Sequence, residues 1–371
     1  MLAKGQTIIQ YMEQFAPKHY AVPDDKIGLQ LGTLQKQIRN VLVALDVTEE
    51  VVDEAIAKDV DLIIAHHAII YRPIAQLTTD TPMGKLYEKL IKHDIAVYIA
   101  HTNLDTAEGG VNDLMADALE LQDCTCLEEI HTDHLFKLVV FVPETDHEKV
   151  MQAMLNAGAG HIGNYSHCSF NSQGTGTFVP LEGTNPYIGS QGVMERVPEI
   201  RIETIVPQSI QRKVVQAMLK AHPYEEVAYD LYRMDLKGRS FGLGRVGKLQ
   251  DALTLADLVE RVKERFDVPQ VRVVGDLKRD VRKVAVLGGS GSRYVKHALF
   301  RGADVLVTGD IDYHTAHDAL AAGIALIDPG HNVEKIVKPA VAAMLQKKME
   351  EHKYTTRIIA SELSTEVFQF V

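Results

Sequence analysis

Three short apolar runs in this chain each end in histidines or acids, and that repetition restricts the fold more than any other feature. Asp61-Leu62-Ile63-Ile64-Ala65 is closed by His66 and His67. Ile95-Ala96-Val97-Tyr98-Ile99-Ala100 delivers His101-Thr102-Asn103-Leu104-Asp105, and Gly323-Ile324-Ala325-Leu326-Ile327 delivers Asp328-Pro329-Gly330-His331-Asn332-Val333-Glu334. Short apolar runs bounded by polar residues predict buried strands. Open α/β sheets gather ligands at the carboxyl ends of their strands, so three such ends can pool nitrogen and oxygen donors for one metal ion or two. Each residue alone also fits a plainer role. His66 and His67 could form a surface turn, Asp105 a turn cap, and Glu334 an acid in the first turn of a helix. Their joint placement at three strand ends favours the metal site.

The segments between these runs have the grammar of strand, helix, strand. Ile8, Ile9, Tyr11, Met12 and Phe15 recur at helical spacing after Lys4. A strand over 41–45 leads to Thr48, which can cap a helix over 49–58, and a further helix is expected over 84–93. After residue 240 the grammar returns, with strands over 281–287, 303–308, 323–327 and 355–360 and helices starting near Ser292, Tyr313 and Asn332. The expected class is α/β, a parallel-rich sheet with helices on both faces.

The middle of the chain is different. Val142-Pro143 followed by 149–157 is repeated, in constant register, as Val206-Pro207 followed by 213–221. Each copy has a strand before the Val-Pro and another after the helix, at 166–170 and 227–233. The duplication predicts a ferredoxin-like βαββαβ domain of α+β type. Metal-type ligands come from both flanks, so the expected division is a discontinuous metal-binding domain, 1–130 and 236–371, interrupted by an inserted domain, 131–235.

At 371 residues and 46% hydrophobic content the chain can core two domains. Its formal charge of −11, with no basic block, argues against a nucleic-acid partner. No apolar stretch approaches the ~20 residues of a membrane span, and the first residues lack a secretory apolar region. Cys124, Cys126 and Cys168 form an odd set for a disulfide framework, so a reduced, cytoplasmic protein with no membrane partner is expected. Cys124 with Cys126, or His161, His167 and Cys168 together, are alternative metal groups. Gly288-Gly289-Ser290-Gly291-Ser292 lies between a strand and an expected helix. The backbone N–H groups of Gly289, Ser290 and Gly291 could cradle a phosphate there. A plain tight turn is the alternative, since neither the Walker nor the dinucleotide pattern is met.

Taken together, these motifs resemble the Nif-three-like dinuclear metal-centre family, the GTP cyclohydrolase I type 2 homologues. The resemblance is carried by Ile27-Gly28-Leu29-Gln30-Leu31-Gly32, His66-His67, His101 through Asp105, Thr308-Gly309-Asp310 with His317, and Gly330-His331 with Glu334. The middle of the chain, including Ala221-His222-Pro223-Tyr224-Glu225-Glu226, resembles the PII/CutA-like domain of the family's longer members. The resemblance implies two divalent ions, zinc with iron or manganese as alternatives, held by His66, His67, Asp105, His331 and Glu334. Glu334 would be shared between the ions, and His101 and His317 would transfer protons. It further implies a homohexamer and hydrolytic opening of the guanine imidazole ring of GTP with release of formate. The alternative is a metal-binding or metal-delivery protein without turnover, its insert regulatory or structural. A transcription-factor partner is a third reading, to which the acidic charge lends nothing. Two departures stand out. Many members separate the last histidine and glutamate by four positions, whereas His331 and Glu334 are three apart. Many also carry an N-terminal tryptophan, and this chain has none. The run His222 to Glu226 is expected either to pack within an assembly or to reach the active centre.

Overall fold

The computed structural model describes residues 1–369. The chain divides into two compact units, one made of residues 1–131 with 241 onward, the other of Thr132–Ser240.

The first unit contains two mixed sheets where one parallel-rich sheet is expected. In the five-stranded sheet, Arg357–Ala360, Asn40–Ala44, Leu62–Ala65 and Ala96–Ile99 lie parallel in that order, and Gly28–Leu31 adds an antiparallel edge. Ala65 pairs with Ala44 on one side and Ile99 on the other. The strands therefore end level, and His66, His67 and His101 emerge side by side. Both central strands are buried along their whole length because the sheet is covered twice. Leu62, Ile64, Ala96 and Tyr98 pack in one core with Ile8, Ile9 and Met12 of helix Gly5–Phe15. Ile63, Ala65, Val97 and Ile99 point the other way, into a core with Val51 and Val52 of helix Glu49–Ala57 and Leu86 and Leu90 of helix Pro82–Lys92. This is the two-residue alternation of a strand between two apolar layers. Each fully buried Leu or Ile contributes roughly 1.5–3 kcal/mol.

The six-stranded sheet has the order Arg272–Val274, Ala325–Asp328, Val305–Gly309, Asp280–Ser290, Arg239–Thr254 and Gln122–Asp133. Its centre is parallel, Arg272–Val274 runs antiparallel to Ala325–Asp328, and Arg239–Thr254 runs antiparallel to Asp280–Ser290. The apolar pattern marks where strands are, and says little about the direction of their partners. That is why the antiparallel edges were not expected. The strand near the C-terminus, Arg357–Ala360, joins the sheet built by the N-terminal flank, so neither flank completes its own sheet.

The second unit runs Leu135–Pro143, helix His147–Asn156, Ser169–Phe178, Glu195–Pro207, helix Gln211–Ala221 and Tyr229–Arg233. Its sheet is antiparallel, in the order Tyr229–Arg233, Leu135–Pro143, Glu195–Pro207, Ser169–Phe178. Leu138, Val140, Ile200 and Ile202 bury one face against Val150, Met154, Val214 and Met218 of the two helices. The compact unit runs to Ser240, where the expected boundary is 235. No helix among the described residues is long and apolar enough to cross a membrane.

Candidate metal centre

His66 follows strand Leu62–Ala65 directly, and its amide donates to Ala44 O and Leu45 O, each at 3.2 Å. Its ring Nδ1 lies 3.0 Å from Ala100 O. A carbonyl only accepts, so Nδ1 carries the proton and Nε2 presents a lone pair. His67 Nδ1 donates to Asp46 Oδ1 at 2.7 Å, and His331 Nδ1 to Asp310 Oδ2 at 2.7 Å. His101 Nδ1 meets Asp25 Oδ1 at 2.8 Å. Asp25 is itself held by the Thr102 amide at 3.0 Å and by the Thr102 hydroxyl. Four imidazoles thus have one nitrogen engaged by a fixed acceptor, the arrangement that orients metal-ligating histidines.

The free nitrogens converge on two carboxylates. Glu334 Oε2 lies 3.0 Å from His67 Nε2, 3.4 Å from His331 Nε2 and 3.6 Å from His66 Nε2. Asp105 Oδ1 lies 3.6 Å from His66 Nε2. Ligand atoms within 4.8 Å of one another fall into three groups: His66, His67 and His101; His67, His331 and Glu334; and His66, Asp105 and Glu334. Glu334 is common to two of these. His66 Nε2 and Asp105 Oδ1 are both buried without a hydrogen-bond partner. Two such atoms facing each other cost several kcal/mol together unless something sits between them. A cation fits that place, and the mix of imidazole and carboxylate suits zinc, iron or manganese.

The electrostatics agree with this reading. Burial works against charge on His67, yet its bonds to Asp46 and Glu334 push it up to about 10. The bond to Glu334, against burial, pushes His331 up to about 9. Burial raises Asp105 to about 6. Glu334 is held well below the carboxylate range by the surrounding imidazoles although burial opposes it. The group concentrates negative charge that protons neutralise when no metal is bound.

Local structure explains the short spacing at the last motif. Residues His331–Ile336 form a 3-10 helix that precedes helix Val337–Glu351. With three residues per turn, positions i and i+3 eclipse, so His331 and Glu334 share one face. The glycines at 288 and 289 are needed beside them. A Cβ on Gly289 would lie 2.7 Å from Glu334 Oε1 and 3.3 Å from His331 Nε2, and its φ is +65°.

The glycine run expected as a phosphate cradle does not lead directly into an α-helix. Strand Asp280–Ser290 continues through the glycines, and only a 3-10 turn, Ser292–Tyr294, and the six-residue helix Val295–Phe300 follow. The Gly288 amide donates to Asn112 Oδ1 at 2.9 Å and the Gly291 amide to Gly309 O at 3.2 Å. Gly289 and Ser290 thus end the strand beside the donors, and Gly291 follows it. His317 is not brought to the group either. It is exposed on helix Tyr313–Ala322, its ring 4.6 Å from that of Tyr313, and belongs to none of the three groups. The other two cysteine- or histidine-based alternatives likewise contribute to none of them.

Sequence reasoning placed Asp310 in a motif without giving it a role, and missed the roles of Asp25, Asp46 and Asn112. Asp310 directly follows strand Val305–Gly309 and Asp46 lies two residues past strand Asn40–Ala44, positions that were a usable signal. Asp25 and Asn112 lie far in sequence from the groups they hold and carry no such mark. Asn112 donates to Asp105 O at 2.9 Å and accepts from Gly288, tying the two flanks at the site.

Comparison with known proteins adds the following. Residues 3–367 match the family model Duf34/NIF3 (NGG1p interacting factor 3). A Halalkalibacterium halodurans protein named GTP cyclohydrolase 1 type 2 homolog is 56% identical over 370 residues, covering 100% of both chains. A Bacillus subtilis protein of the same name is 54% identical over 367 residues, covering 99% of this chain and 98% of the relative. The crystal structure of a Bacillus cereus protein related to NIF3 matches with a TM-score of 0.95 at 55% identity, over 100% of both chains.

Proposed function

Because the chain belongs to the Duf34/NIF3 family, we propose that it is a dinuclear-metal-dependent hydrolase acting on a nucleotide, with GTP as substrate. One observation carries the reading: histidine Nε2 atoms, Asp105 and Glu334 converge on one point while each imidazole is oriented from behind by a fixed acceptor. His66, Asp105 and Glu334 would hold one ion, and His67, His331 and Glu334 the other, with Glu334 shared. Ions held there lower the pKa of water and draw charge from the substrate atom under attack.

The chain's own residues supply the rest. Asp46 and Asp310 keep His67 and His331 in the tautomer that exposes Nε2. Asp25 does the same for His101, which is half-buried at the edge of the group and free to take a proton at one atom and return it at another. Guanine ring opening with release of C8 as formate is suggested by the relatives' printed name; hydrolysis is suggested by the donor set. The Thr132–Ser240 unit is read as a ferredoxin-like, PII/CutA-like insert, supported by its strand order with the last strand beside the first. The assembly is proposed to be a homohexamer, to be checked by light scattering.

The experiment is formate release from GTP by protein reconstituted with zinc, iron(II) or manganese, with metal content measured in parallel. Turnover that vanishes in His66→Ala and falls at least about a hundredfold in metal-loaded His101→Ala, the scale of a lost proton-transfer group, supports the proposal. Fully loaded protein without turnover would transfer the reading to metal delivery.

A further inference from the structure

The Thr132–Ser240 unit contains a cavity of about 710 Å³, within the range of small-molecule sites. It lies on the sheet face opposite the two helices. Ile200 and Ile202 point into the helix-covered core, so the alternate residues Glu199 and Arg201 face the cavity. The segment between Phe178 and Glu195 roofs it with Leu181, Tyr187 and Ile188. Tyr224 forms an aromatic wall, its ring 5.7 Å from that of Phe178 and 6.3 Å from that of Tyr187.

At the floor is Glu199, only 8% exposed. The Tyr224 hydroxyl donates to its Oε1 at 3.0 Å. Its Oε2 lies over Gly176, where a Cβ would stand 2.1 Å away, so the glycine leaves room for the carboxylate. Among the described residues Glu199 makes no ion pair. Arg201, a cation in the lining, is turned to Glu203 at 2.8 Å. Glu225 and Glu226 add further negative charge to the lining. A buried carboxylate with one hydrogen bond and no cation is costly by itself. The run His222 to Glu226 finds its place here. His222 is buried, donates through Nε2 to Phe141 O at 2.9 Å and accepts the Tyr224 amide at Nδ1 at 3.1 Å, which fixes Tyr224 above Glu199.

We propose that this cavity binds a small aromatic cation, its amidinium or ammonium group on Glu199 and its ring among Phe178, Tyr187 and Tyr224. The ligand brings the missing charge, and the tyrosine faces add attraction for a cation. The site uses only residues between 141 and 228 and does not depend on the reading of the metal centre.

Calorimetric titration of the full-length protein tests it, with benzamidine and tryptamine as probes and benzamide as the neutral isostere of benzamidine. Benzamidine is expected to bind at least about tenfold more tightly than benzamide, a difference of 1.4 kcal/mol. Glu199→Gln should remove that preference while its circular-dichroism melting curve shows no loss of stability against the wild type. Should Glu199→Gln fold poorly, Tyr187→Ala on the roof is expected to weaken both probes. Equal binding of benzamidine and benzamide, a Glu199→Gln variant that keeps the preference, or no binding of either cation at millimolar concentration each overturn the proposal.

Discussion

Each imidazole at the candidate metal centre has one nitrogen committed to an acceptor, so the residues behind the proposed ligands matter nearly as much as the ligands. Replacing Asp46 or Asp310 by asparagine leaves every ligand in place but loosens the ring it orients. Metal affinity should fall about 10- to 100-fold, measured by chelator competition. Glu334→Gln should lose bound metal outright, because one oxygen of Glu334 serves three histidines, whereas His317→Ala should keep it; elemental analysis decides both. The same contacts set the pH response. His67 and His331 titrate near 10 and 9 in the folded, metal-free chain against an ordinary 6.5. Their protons therefore stabilise the metal-free protein fully below about pH 6.5, and that contribution disappears as the pH rises through 9 and 10. Metal must displace those protons. Uptake at pH 7 should release protons, seen as a buffer-dependent heat in calorimetry, and affinity should rise with pH up to about 9–10.

At the scale of elements, two small devices bring the donors together. The 3-10 helix His331–Ile336 lets a three-residue spacing put a histidine and a glutamate on one face. An α-helix would turn them 60° apart by the ~100° per residue of its pitch. The glycine edge at the end of Asp280–Ser290 supplies the room they need. Gly289→Ala should cost about 1–3 kcal/mol for its positive φ, and its Cβ would press on Glu334. Loss of metal together with a lowered Tm is the expected result, read by elemental analysis and thermal unfolding. Unchanged metal content would show that the strand end can move aside.

At the scale of the whole molecule, the first unit is woven from both ends of the chain. Strand Arg357–Ala360 pairs with Asn40–Ala44, and Thr365 just beyond it bonds to Asp46 behind His67. A fragment of residues 1–131 retains His66, His67, His101 and Asp105, yet lacks that strand, His331 and Glu334. It should bind no metal and unfold without cooperativity, and co-expression with 241–371 should restore both properties; denaturant melts and metal analysis check this. The Thr132–Ser240 unit interrupts this weave in sequence, and none of the three donor groups found among the described residues includes one of its residues.

Local pattern was enough to place most of the strands and the residues at their ends. Apolar runs such as 62–65 and 96–99 are buried on both faces, and a histidine or acid directly after them can only emerge at the sheet's edge. The sequence marked the duplicated middle as well, because a repeat in constant register survives in the letters. Which residues stand behind the ligands followed only from the folded chain, since Asp25 meets His101 and Asn112 meets Gly288 across separations that no local pattern records. Tertiary structure made two mixed sheets instead of one, because pairing direction is set by where the chain returns and not by its hydrophobic period. It also left His317 on an exposed helix and turned the glycine run into a close approach to Glu334. Both outcomes depend on packing between elements, and a single chain of letters holds no measure of that.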